Sequence, residues 1–147
     1  MSSYKQIIYQ IVFSTKNREN YIDQNRCNEL YQYIWGIVKN KKGHLYRING
    51  MPNHVHIVCD LHPSIALADF VREIKQSSSR WMRERGFQKF NGWNEGYAAF
   101  TYNYKDKENV IAYVMNQQEH HTKENYLDEC KRLFHEHGVE FDERFMP

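Results

Sequence analysis

The segment from Tyr4 to Phe13 is apolar on both faces of an extended chain, and this limits the folds open to the sequence more than any other feature. Strand side chains alternate, so Ile7, Tyr9, Ile11 and Phe13 share one face and Ile8, Gln10 and Val12 the other. A strand with two apolar faces belongs inside a sheet that is covered above and below. The opening MSSYKQIIYQIVF has one Lys and only a short alternation, unlike the long apolar run of a signal peptide. No segment approaches membrane-spanning length, so a cytoplasmic protein with no membrane partner is expected.

The periodicities that follow alternate in kind. From about Gln24 to Lys41, Cys27, Leu30, Tyr31, Ile34, Trp35 and Val38 recur at helical spacing, with Gly43 placed as a C-cap glycine. His44 to Asn49 and His54 to Asp60 read as strands around the turn Gly50-Met51-Pro52-Asn53, a hairpin. Ser64 is placed to cap a second helix with the stripe Leu67, Phe70, Val71, Ile74 and Trp81, closed by Gly86. A loop with Gly92 and Gly96 leads to a strand from Tyr97 to Tyr104. Asp106 opens a third helix running to about His120. A fourth, Lys123 to His137, has Thr122 as its cap, Tyr126, Leu127, Cys130, Leu133 and Phe134 as its stripe, and Gly138 as its stop.

The order β-α-β-β-α-β predicts an α+β, ferredoxin-like antiparallel sheet with two helices on one face. With 147 residues, 41% hydrophobic and 26% charged, the chain suits one domain, 1–147. Its ferredoxin-like core would be about residues 1–105, and 106–147 a helical extension. The three cysteines, Cys27, Cys59 and Cys130, are odd in number and widely spaced, which offers neither a zinc pattern nor a disulfide framework. Net charge is +2, so the placing of basic residues matters more than their sum. Aromatics at 15% suit either a Tyr-rich core or stacking platforms for unpaired bases.

Two constellations could carry chemistry. His54 and His56 project from one face of a predicted strand, as two nitrogen ligands on a rigid element or as two of the chain's 8 histidines with no shared task. On the third helix, with Val110 at zero, Ile111, Val114 and Met115 span about 40–140°. Tyr113 falls near about 300°, Gln117 about 340° and His120 about 280°. Tyr113 and Gln117 are thus i and i+4 at the border of the apolar stripe. Together the sites suggest a tyrosine hydroxyl attacking a phosphodiester, with a divalent ion polarising the phosphate. Two imidazoles and an amide are neutral ligands and leave the ion its full charge. Mg2+ or Mn2+ is the expected cofactor, and imidazole suits Mn, Ni or Zn better than Mg by softness.

MPNHVHIV resembles the metal motif of HUH endonucleases, in particular the TnpA-like single-tyrosine transposases of small insertion sequences. WNEGYAAFTY and VIAYVMNQ resemble that family's last strand and catalytic helix, in the family's order and across nearly the whole chain. The resemblance implies metal-dependent cleavage and rejoining of single-stranded DNA through a covalent 5′-phosphotyrosine. Tyr113 would be the nucleophile, and His54, His56 and Gln117 the metal ligands. His120 could replace or assist Gln117; His121, near about 20°, reads as structural or solvated. The resemblance further implies a homodimer, in which one subunit's tyrosine helix can complete the other's site, and DNA substrates with hairpin ends.

For DNA contacts the second helix offers Arg72, Lys75, Gln76, Ser79, Arg80 and Arg83 outside its stripe, as a binding face or a solvated one. IKQSSSR is similar to a DNA-holding helix of the family. Lys16 and Arg18 are loop candidates, and Lys39, Lys41 and Lys42 suit the first helix's C-terminal dipole. Trp93, Tyr102 and Tyr104 could stack bases or pack the core. Tyr104 and Tyr126 are the next candidate nucleophiles. A replication-initiator-like nickase and a DNA-binding module with an idle tyrosine are the alternative readings.

Overall fold

The computed structural model describes residues 2–147. Four strands, β1 (Ile8–Ser14), β2 (His44–Met51), β3 (His54–Asp60) and β4 (Ala98–Tyr102), form an antiparallel sheet in the order β2-β3-β1-β4. The twice-apolar strand is indeed internal: Val12 of β1 faces His56 of β3 on one side and Ala98 of β4 on the other. This is the ferredoxin-like α+β arrangement.

Helices α1 (Cys27–Asn40) and α2 (Leu67–Glu84) cover one face. There Ile11, Phe13, Val55 and Ile57 pack against Leu30, Ile34, Phe70 and Ile74. The C-terminal helices α3 (Lys107–Met115), α4 (Gln117–His120) and α5 (Tyr126–Glu136) lie over the other face. Val12, Ala98 and Phe100 meet Cys130, Leu133 and Phe134 of α5, while Ile8 and Val58 meet Val110 and Val114 of α3. The second helical layer explains why β1 and β3 are buried on both faces. The tail docks on its own chain, where Arg18 Nη2 donates to Met146 O at 2.7 Å.

Several boundaries differ from the sequence expectation. α1 begins at Cys27 rather than Gln24, and β4 is shorter than Tyr97–Tyr104. Ala66, not Ser64, precedes α2, because Ser64 Oγ turns to His62 Nδ1 at 2.7 Å. α5 is capped by Asn125, whose side chain accepts from Asp128 N at 2.9 Å, while Thr122 Oγ1 donates to Glu119 O instead. Past α1 the left-handed residue is Lys42 at φ 60, not Gly43. The expected long third helix is divided at Asn116, with φ −97 and ψ 23. Cys27, Cys59 and Cys130 are free thiols. Among the described residues no helix is long and apolar enough to cross a membrane.

The β2–β3 hairpin is tight because Gly50 lies against the next strand: a Cβ there would sit 2.2 Å from His54 O. Gly50→Ala should therefore push on the strand that carries both histidines. It is expected to lower the unfolding free energy by about 1–3 kcal/mol in urea denaturation; an unchanged midpoint would show that the hairpin can relax.

Candidate functional site

The alternation of β3 sets His54, His56 and Val58 on the face covered by the C-terminal helices, and both imidazoles are fully buried. Each ring is held from behind. His54 Nδ1 lies 2.7 Å from Asn53 Oδ1, and His56 Nδ1 lies 2.7 Å from Gln10 Oε1. The Gln10 amide is itself oriented, since its Nε2 donates to Tyr102 Oη at 2.6 Å. An amide oxygen only accepts, so Nδ1 carries a proton in both rings, and in the neutral tautomer this leaves Nε2 with a lone pair. Burial pushes the His54 pKa down to about 4, against the opposing pull of Glu129, which keeps the ring neutral at pH 7.

Gln117 is brought to these rings by a clamp on the end of α3. The Asn49 side chain on β2 donates to the carbonyls of Val114 and Met115 at 3.1 and 3.0 Å. Those carbonyls are among the unpaired acceptors of a helix C-terminus. Gln118 in turn donates to Asn49 Oδ1 and Gly50 O, both at 2.9 Å. The chain breaks at Asn116 and restarts with Gln117 buried, its Oε1 3.1 Å from His54 Nε2.

Two residues that the sequence reading did not assign complete the cluster. Glu129 of α5 is fully buried, and its Oε1 lies 3.0 Å from both His56 Nε2 and His121 Nε2, and 3.5 Å from His54 Nε2. Burial alone would raise this carboxyl, but its contact with the imidazoles of His121, His54 and His56 outweighs burial and holds the group well below the usual carboxylate range. His121, which the helical phase sets apart as structural or solvated, lies in the cluster, with Nε2 3.1 Å from Gln117 Oε1. A signal for each was present. Glu129 falls three residues after Tyr126 and four before Leu133, within the apolar stripe of its helix. His121 is i+4 from Gln117, the spacing that paired Gln117 with Tyr113.

These atoms suit a divalent cation. Donor atoms of His54, His121 and Glu129 all lie within 4.8 Å of one another, with Gln117 Oε1 beside the two imidazoles. The Nε2 lone pairs of His54 and His56 face carbonyl and carboxylate oxygens, acceptor against acceptor, an arrangement that a shared cation resolves.

Tyr113 stands at the edge of the cluster. Its hydroxyl donates to Glu129 Oε2 and accepts from Arg132 Nη2 at 2.7 Å. Burial first, and the Glu129 charge second, push its pKa well above the ordinary tyrosine value, opposed by Arg132. Arg132 is also bound by Glu124 and Glu136. A cavity of about 550 Å³, lined in part by Tyr102, Asn109, Tyr113, Arg132 and His137, opens onto the phenol. His120 packs its ring on Tyr113 at 4.5 Å between centroids, away from the cation donors.

The remaining candidates are distributed more widely. Lys75, Gln76, Ser79 and Arg83 line a cavity of about 740 Å³ together with Lys16 and Trp93. Lys75 Nζ donates to Asn94 O and Gly96 O, and burial lowers its pKa to about 8. Arg72 pairs with Asp69 outside that cavity, and Arg80 is exposed. Arg18 is committed to the tail and Lys41 to Glu73. Trp93 Nε1 donates to Ser78 Oγ, and the ring packs on Phe13 and Phe90, a core role. Tyr102 is tied to Gln10 and His137, Tyr126 is buried against the His54 ring, and Tyr104 is exposed.

The family model "Transposase IS200 like" matches residues 3–117. The chain belongs to this family. It is 24% identical over 120 residues to the ISDra2 transposase TnpA of Deinococcus radiodurans, covering 78% of this chain and 86% of that protein. A crystal structure of a provisionally assigned transposase from Deinococcus radiodurans R1 superposes with a TM-score of 0.62 at 22% identity, over 80% of this chain and 95% of that one. A REP-associated tyrosine transposase bound to a REP hairpin gives a TM-score of 0.57 at 17% identity, over 79% and 72%. At such identities the two structures support the fold. The family match bears out the resemblance read from MPNHVHIV and VIAYVMNQ.

Gln10→Leu should release the His56 ring while keeping the volume of the side chain. Two-bond proton–nitrogen NMR spectra are expected to show the Nδ1-protonated tautomer of His56 in the parent and its loss in the variant. Manganese affinity should fall about 10–100-fold. An unchanged tautomer and affinity would mean that Gln10 does not orient the ring.

Proposed function

We propose that this transposase cleaves and rejoins single-stranded DNA through a covalent 5′-phosphotyrosine on Tyr113, at a divalent metal held by His54, His56 and Gln117. One observation carries the reading: a single chain joins the tyrosine hydroxyl to the imidazole cluster through one carboxylate, with Oε2 on Tyr113 and Oε1 on the histidines. When bound, Mg2+ or Mn2+ supplies Lewis-acid polarisation of the scissile phosphate, and the imidazole donors favour Mn2+.

The rest of the chemistry belongs to the chain. Tyr113 Oη attacks phosphorus, its proton leaving along the hydrogen bond to Glu129 Oε2. The bond from phosphorus to the 3′ oxygen breaks, and that oxygen takes up the proton to leave as a 3′ hydroxyl. Arg132 Nη2 stays on the phenolic oxygen and offsets its developing charge. Rejoining reverses the step, as a 3′ hydroxyl attacks the phosphotyrosine and frees Tyr113. Because the broken linkage is conserved in the protein–DNA bond, no nucleotide is consumed.

DNA would lie along the basic cavity of Lys16, Lys75, Gln76, Ser79 and Arg83, with Arg72 and Arg80 extending the positive face. The REP hairpin on a structurally similar protein supports a hairpin as the element held there. A homodimer would bring two DNA ends together, and within one chain Tyr113 already meets the histidine cluster through Glu129. The family's action on DNA supports the cytoplasm as the place of this work.

Tyr113→Phe is expected to abolish the covalent protein–DNA product on a denaturing gel while hairpin binding stays within about twofold. An adduct that persists would move the nucleophile elsewhere. Arg83→Ala should weaken binding of hairpin DNA and lower the slope of log affinity against log salt by about one. A slope equal to the parent's would take Arg83 off the phosphate path.

A further inference from the structure

The family match ends at Gln117, yet two members of the buried cluster, His121 and Glu129, come after it. We infer that His121 and Glu129 are direct metal ligands, so that this chain binds its ion with an anionic set that includes α5. This rests on the metal reading above and extends its ligands.

The geometry favours ligation over a purely structural role. Glu129 Oε1 is in contact with all three imidazoles, at 3.0, 3.0 and 3.5 Å. His54, His121 and Glu129 form the one group of three metal-capable side chains among the described residues. A fully buried carboxylate is costly unless positive charge or several donors meet it. Tyr113 Oη and Gln117 Nε2 donate to Oε2 alone, while at Oε1 His54 and His56, with Nδ1 facing Asn53 and Gln10, turn lone pairs toward the carboxylate. Arg132, the nearest guanidinium, binds Tyr113, Glu124 and Glu136 rather than Glu129. Oxygen and imidazole donors packed around one point, with the charge on the oxygen, are the surroundings of a divalent transition ion.

Two consequences follow. A carboxylate in the set neutralises half of the ion's charge, which tightens binding and moderates the pull on the DNA phosphate. The other oxygen of the same carboxylate holds the Tyr113 hydroxyl, so metal and nucleophile share one anchor. Glu129 is then a positioning residue as well as a ligand.

The test is titration of the chelator-stripped full chain with MnCl2 by calorimetry, checked by the loss of the free Mn(II) electron-resonance signal. Glu129→Gln and, separately, His121→Ala are expected to weaken Mn(II) at least about tenfold, and to reduce the rise in Tm that Mn(II) gives the parent. The Co(II) form of each variant should differ in its visible spectrum from that of the parent. Should Glu129→Gln fail to fold by circular dichroism, His121→Ala and its Co(II) spectrum decide. Mn(II) affinity equal to the parent's in both variants, or tighter in Glu129→Gln, overturns the inference and makes the carboxylate a competitor for the ion. In that case His54→Ala still abolishes binding and the proposed function stands. A parent chain that takes up no Mn(II) overturns both.

Discussion

A buried carboxylate surrounded by imidazoles is the constraint on which this architecture turns. Glu129 belongs to a helix outside the ferredoxin-like core, yet its side chain reaches histidines on β3, a central strand. Taking that charge out of water would cost several kcal/mol without compensation. The compensation comes from several elements at once: Gln117 opening α4, His121 after it and Tyr113 on α3, while His54 and His56 on β3 close around the other oxygen. The C-terminal layer is therefore held to the sheet by polar bonds at the site and by apolar contacts beside it, where Phe100 meets Phe134 and Val58 lies in the cluster with Val114. The two kinds of contact constrain different things. Burial of the apolar stripe keeps α5 on the sheet, and the polar bonds fix its rotation and register.

Periodicity made the sheet half of the site legible. A strand repeats every two residues, so the shared face of His54 and His56 needed no knowledge of the fold. The i+4 relation of Tyr113 and Gln117 was equally local. The break at Asn116 was not legible, because it depends on Asn49, which is distant in sequence and binds the α3 carbonyls from another layer. A continuous helix would have kept the phase that put His121 aside. The structure instead turns its ring onto Gln117 and Glu129.

Glu129 escaped for a different reason. A helical stripe is recognised by its apolar members, and an acid among them reads as an interruption. Yet an acid on a buried face is informative, because it must have partners to be there at all. Tyr126, Glu129, Cys130 and Leu133 lie together at helical spacing, and the structure buries all four. The DNA-binding candidates were legible only as a basic helix face. Their division into those that line the large cavity and those that do not depends on how the loop holding Trp93 and Asn94 folds back over α2.

The arrangement leaves Tyr113, the proposed nucleophile, hydrogen-bonded but uncharged. Burial and the Glu129 carboxylate both disfavour the phenolate of Tyr113, and only Arg132 favours it. Arg132 itself is divided, since Glu124 and Glu136 bind the same guanidinium. A phosphate arriving through the cavity beside Tyr113 would compete with those two carboxylates for Arg132, whose side chain is 36% exposed. The contest shifts positive charge toward the reacting oxygen only when substrate is in place. Under the proposed function such restraint is useful, because an ionised hydroxyl would be reactive before the strand was positioned. The acidic neighbours of Arg132 thus act in the same direction as burial: they keep the hydroxyl in its protonated form until a phosphate draws the guanidinium away from them.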